Sequence, residues 1–143
     1  MKYFILIILI LIDITACAKN TKDSTLFTTC DIKMNDKREE LAEKLFEESK
    51  IKELIKLSNP CAEAGDSYYQ FSLGIIYMNS SMMEVINSKV DYNRAYKWLT
   101  KAANQGYEDA ILILIDAYSQ GDMGIEKNTK KLKYWKERLN NMN

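Results

Sequence analysis

Apolar residues recur at helical spacing along most of the chain, and in its second half they do so twice. Tyr69, Leu73 and Tyr77 are four residues apart and share one helical face, as do Ala110, Leu114 and Tyr118. Ala95, Trp98 and Ala102 form a complementary stripe on an intervening segment. Upstream, DKREELAEKLFEESK (36–50) sets Leu41, Leu45 and nearby Phe46 against many charges, which predicts an amphipathic first helix with Asn35 or Asp36 as its cap. Gly65 and Gly106 stand between predicted helices, where a left-handed residue ends a helix at little cost. One Pro and five Gly leave little for the turns of an all-β fold, so the pattern predicts an all-α chain.

The apolar run YFILIILILI (3–12) follows Lys2 and stops at Asp13. Ten helical residues rise about 15 Å, half of a bilayer core of roughly 30 Å, too short to span it. A positive start, a short apolar run and small residues at 15 and 16 have the form of a secretory signal peptide. The stretch Ile14-Thr15-Ala16-Cys17 resembles the lipobox of bacterial lipoproteins, which implies cleavage before Cys17 and a lipid on its thiol. Cysteine suits that role because its thiol is the most nucleophilic side chain near neutral pH. Several acyl chains would hold the protein stably at a membrane. Ala18, rather than Asp, follows the Cys, which by the same resemblance implies the inner leaflet of the outer membrane, facing the periplasm.

A repeat is legible when AEAGDSYYQFSLGIIY (62–77) is set above ANQGYEDAILILIDAY (103–118), an offset of 41. Ala62 meets Ala103, Gly65 meets Gly106, Leu73 meets Leu114 and Tyr77 meets Tyr118. DYNRAYKWLTKAA (91–103) matches NTKKLKYWKERL (128–139) at an offset of 37, and IKELIKLSNPCAEAG (51–65) is a fainter copy. These residues resemble the Sel1-like repeat, a relative of the tetratricopeptide repeat. The resemblance is carried by Leu73-Gly74-x-x-Tyr77, by Asp91-x-x-x-Ala95-x-x-Trp98-x-x-Lys101-Ala102-Ala103, by Gln105-Gly106-x-x-x-Ala110-x-x-x-Leu114-x-x-x-Tyr118 and by Gly121-x-x-Gly124-Ile125. It implies a short α-solenoid of helix-turn-helix units. Tyr69, Ile115 and Leu132 depart from it, standing where the family has Ala, Gly and Ala. The implied organisation is a signal peptide (1–16), a lipidated Cys with a flexible tether (17–34), a degenerate helical pair (35–61), one repeat (62–103), and a second repeat with the C-terminal helix (104–143).

Twenty basic and twenty acidic side chains balance over 143 residues, and residues 1–16 carry one Lys and one Asp, so removing them leaves the balance unchanged. That balance argues against a nucleic-acid partner. There is no His, which removes Ser-His-Asp and Cys-His catalysis and nearly every zinc pattern. No cofactor or metal is expected, and the chain reads as a non-enzyme. Glu39, Glu40, Glu47 and Glu48, beside Lys37, Arg38, Lys44 and Lys50, read as a solvated face. With Cys17 carrying lipid, Cys30 and Cys61 are an even pair in an oxidising compartment and are expected to be bridged, the alternative being two separately buried thiols. Met82 and Met83, in the longer linker after Tyr77, read as an apolar lid.

Function would then rest on docking, since solenoids bind partners on a concave side. The resemblance implies that the first helix of each pair lines that side. The residues beside its core stripe, Tyr68, Ser72 and Ile75 in one unit and Asp109, Ile113 and Asp116 in the next, are the candidate partner contacts. Small Sel1-like lipoproteins resemble immunity proteins that neutralise lipase effectors of the type VI secretion system. The expected partner is accordingly a secreted toxin, with an envelope-assembly or signalling adaptor as the alternative. Binding of peptidoglycan fragments or β-lactams, associated with cysteine-rich relatives, would require a Cys pair in each repeat, which this chain lacks.

Overall fold

A computed structural model describes residues 28–30 and 35–142. Cys17, the lipobox and most of the tether lie outside the described residues. The described residues form seven helices and no strand: α1 (Asn35–Glu47), α2 (Ile51–Ala64), α3 (Ser67–Met78), α4 (Ser80–Val85), α5 (Tyr92–Asn104), α6 (Glu108–Gln120) and α7 (Thr129–Asn140). Successive long helices pack in chain order, α1 on α2, α2 on α3, α3 on α5, α5 on α6 and α6 on α7.

The helix ends follow from local chemistry. Asp66 accepts hydrogen bonds from the N–H groups of Tyr68 (2.9 Å) and Tyr69 (3.2 Å) at the start of α3, and Asp91 and Asn128 cap α5 and α7 in the same way. Gly65 (φ 105°) ends α2 and Gly106 (φ 88°) follows α5. After each glycine the next N–H reaches back five residues, Asp66 to the Cys61 carbonyl at 2.9 Å and Tyr107 to the Ala102 carbonyl at 3.1 Å. The offset of 41 read from the sequence is therefore also an offset between two helix-ending turns of the same hydrogen-bond pattern. At α1 the expectation needs correcting: both Asn35 and Asp36 lie inside the first turn, so neither stands ahead of the helix as its cap.

Tyr69, Leu73 and Tyr77 from α3, Ala95, Trp98 and Ala102 from α5, and Ala110, Leu114 and Tyr118 from α6 are all buried in one apolar core. A smaller core joins Ala42 and Leu45 of α1 to Ile51, Leu54 and Leu57 of α2 and Ile76 of α3. The closest approach is between α3 and α5. A Cβ at Gly74 would stand 2.6 Å from Leu99 Cγ, so only glycine allows the contact. At the matching position of α6 stands Ile115, half-buried, and α6 packs less closely on α7.

Three features were not legible in the sequence pattern. The linker after Met78 contains a short helix, α4, which buries Met83 while Met82 stays partly exposed. Phe46 does not join the core, being 54% exposed. Arg38 leaves the solvated face assigned to it: it is buried, and its guanidinium donates to the carbonyls of Leu57 (3.3 Å) and Thr29. Beside it the sulfur atoms of Cys30 and Cys61 are bonded, with Cα atoms 4.7 Å apart. Together they fasten the segment entering the domain to α1 and α2.

The Cys30–Cys61 bridge closes a loop with a sequence separation of 31, worth about 3–4 kcal/mol in the chain-entropy description. Urea unfolding of oxidised wild type against Cys30→Ser should differ by about that much. A difference below about 1 kcal/mol would mean that the loop is held without the bridge.

Candidate functional site

The residues of α3 that flank its buried stripe open onto a groove of about 300 Å³. Its walls are Ala42, Glu43 and Phe46 of α1, Leu54 and Ser58 of α2, the outer side of α3 from Tyr68 to Ile76, and Met82 of α4. The groove exists because α1 and α3 both pack on α2 and leave a channel between them. Its polar atoms are largely engaged within their own helices: Ser72 Oγ donates to the Tyr68 carbonyl at 2.9 Å and Ser58 Oγ to the Leu54 carbonyl at 2.8 Å. What remains open is apolar and aromatic, with Phe46 and Tyr68 about half exposed at its rim.

Tyr69 forms part of the floor. Its ring meets Tyr68 edge to face, 5.2 Å between centroids. Its hydroxyl is buried without a hydrogen-bond partner among the described residues. Burial pushes the phenol well above its ordinary value, the nearby Arg38 charge opposing this only in part, so Tyr69 stays neutral.

The structure divides the six candidate contacts. Tyr68, Ser72 and Ile75 share the groove just described. Ile113 and Asp116 line a second hollow of about 290 Å³ between Met78 of α3 and Leu112 and Ala117 of α6, closed by Asp122 and Met123. Asp109 lines neither; it is exposed in the first turn of α6, where with Glu108 it faces the positive end of the helix. Sequence reasoning missed Phe46, which periodicity assigned to a core, and the contribution of α1 as a whole.

A polar cluster joins α5, α6 and α7. The hydroxyls of Tyr96 and Tyr118 are 2.7 Å apart, and Lys131 Nζ donates to the Tyr118 hydroxyl at 3.2 Å. Burial pushes the Tyr96 phenol up, but the hydrogen bond with Tyr118 and the Lys131 charge outweigh it and hold Tyr96 below its usual value. Tyr118 is raised, by burial first and then by Tyr96. A second polar bridge runs from Gln105 at the end of α5 to the buried Gln70 (2.8 Å), which donates in turn to the Ala62 carbonyl (3.0 Å). Among the described residues no group of His, Cys, Asp and Glu is arranged to hold a metal, and no helix is long and apolar enough to cross a membrane.

No family model matches the chain. Over 81 residues it is 31% identical to wolframin of Drosophila melanogaster, a stretch that takes in 56% of this chain and 10% of wolframin. The chain thus spans about a tenth of the length of the curated relative it matches. No solved structure matches it.

Because the Tyr69 hydroxyl is buried and unpartnered, Tyr69→Phe should leave stability unchanged or raise it by up to about 1 kcal/mol, measured by urea unfolding. A loss above about 1 kcal/mol would show that the hydroxyl has a partner in solution.

Proposed function

We propose that the chain is a non-enzymatic protein-interaction module, anchored in the bacterial envelope by lipid on Cys17 and facing the periplasm. On this reading α2 to α7 stack as a short α-solenoid of Sel1-like units, and partners dock on the side lined by α1, α3 and α6. The observation that carries the reading is the open groove between α1 and α3. It gathers Tyr68, Ser72 and Ile75 with the exposed Phe46 into one apolar surface. Aromatic side chains around a preformed hollow are the composition of a docking hot spot.

Other features fit. The Cys30–Cys61 bond suits an oxidising compartment. The absence of His and the engagement of hydroxyls within their own helices leave no nucleophile with an adjacent base in the groove. Within the class of interaction modules, the Sel1-like resemblance favours an immunity protein that neutralises a secreted lipase. Such a protein needs a periplasmic address, a stable fold and one tight surface.

The test is affinity capture from the producing bacterium by the oxidised chain, with Ile75→Glu alongside. Wild type should retain one protein in near-equal amount, and a charge in the apolar groove should weaken capture at least tenfold. A secreted lipase would support the immunity role, and an envelope protein would support an adaptor. Capture that Ile75→Glu leaves intact would remove the groove from the account.

A further inference from the structure

The zero net charge of the chain conceals a sorting of charge between helices. α5 carries three basic residues and no acidic one, and α7 carries five basic residues and one acidic. Between them in sequence, α6 carries three acidic residues and no basic one. α5 and α7 each pack on α6, and side chains link them start to start and end to end. Near their starts, Tyr96 and Lys131 meet through the Tyr118 hydroxyl; at their ends, Arg138 donates to the carbonyls of Ala103 (3.3 Å) and Asn104. The two helices therefore point the same way, joined at their starts through Tyr118 and at their ends through Arg138.

We propose that the outer faces of α5 and α7 form an electrostatic docking surface for the anionic headgroups of a lipid bilayer. The surface belongs to the folded residues and does not depend on a lipid at Cys17. Two helices of 13 and 12 residues make a platform about 18–20 Å long, wide enough to cover several headgroups rather than one anion.

The kind of cation decides between a membrane and a specific acidic ligand. Arg138 is occupied with backbone carbonyls and Arg94 pairs with Asp91 at 3.2 Å, so the planar forks suited to bidentate recognition are engaged. What faces outward is lysine. Lys97, Lys130 and Lys136 are exposed, and no ion pair holds them among the described residues. Hydrated point charges on flexible stems suit a diffuse, mobile layer of headgroup charge, whose attraction adds up lysine by lysine. Tyr134, half exposed on α7 one turn after Lys130, offers an amphipathic ring of the kind that settles at headgroup level.

Vesicle flotation of the full chain tests this, because its apolar N-terminal run contributes to every vesicle alike. Vesicles of phosphatidylcholine alone are compared with vesicles holding about 30% phosphatidylglycerol, in low and high salt. Wild type should prefer the anionic vesicles about tenfold in low salt and lose the preference in high salt. Lys97→Glu/Lys130→Glu should abolish it. Lys37→Glu/Lys44→Glu, which makes the same change in net charge on α1, should keep most of it, with circular dichroism showing both variants folded. Equal loss in the two variants, or no preference in wild type, would overturn the proposal. So would tighter binding of polyglutamate or duplex DNA than of vesicles through the same lysines, which would give the face a different partner.

Discussion

Gly74 brings α3 so near α5 that an added methyl group would lie 2.6 Å from Leu99 Cγ, and the neighbouring structure is arranged about that approach. With the two backbones this close, Leu73 and Tyr77 on one side and Ala95, Trp98 and Ala102 on the other are buried in one core. Both faces of the pair are then extended. α2 covers α3 on one flank, and α6 covers α5 on the other. The same turn chemistry closes each junction, first at Gly65 and again at Gly106. Gln105 donates to Gln70, whose buried amide donates in turn to the Ala62 carbonyl, so the two junctions are tied together and α2, α3 and α5 have little latitude in how they are set.

Much of this arrangement is legible in the sequence. Helical periodicity placed the three core stripes because burial in a helical pair selects apolar residues at spacings of three and four. The helix-ending glycines Gly65 and Gly106 stand where the repeat places them. Periodicity failed where tertiary contacts override local pattern. Arg38 reads as one more charge on a solvated helix, yet it is buried because two carbonyls from distant segments accept its protons. Phe46 reads as core and instead rims a groove, since among the described residues nothing packs over that side of α1. Of the six candidate contacts, three share one groove and two share another. Sequence spacing places residues on a helix face but cannot say which neighbouring helix stands opposite.

Charge was the least legible property. A balance of twenty against twenty argues for indifference to polyanions, but that inference treats the surface as uniform. Folding separates the signs, gathering lysines on α5 and α7 and carboxylates on α6. The proposed functions follow this division. A bilayer would face the lysine platform, leaving the apolar groove between α1 and α3 free for a protein partner. The Arg38 contacts and the Cys30–Cys61 bond meanwhile hold the entering segment against α1 and α2.

Hydrogen–deuterium exchange of the full chain with and without its captured partner tests whether partners dock on the side lined by α1, α3 and α6. Docking on that side should slow exchange in peptides covering α1 and α3, extending into α6, with α5 and α7 unchanged. Slowing confined to α5 and α7, with α1 and α3 exchanging as in the free chain, would contradict it.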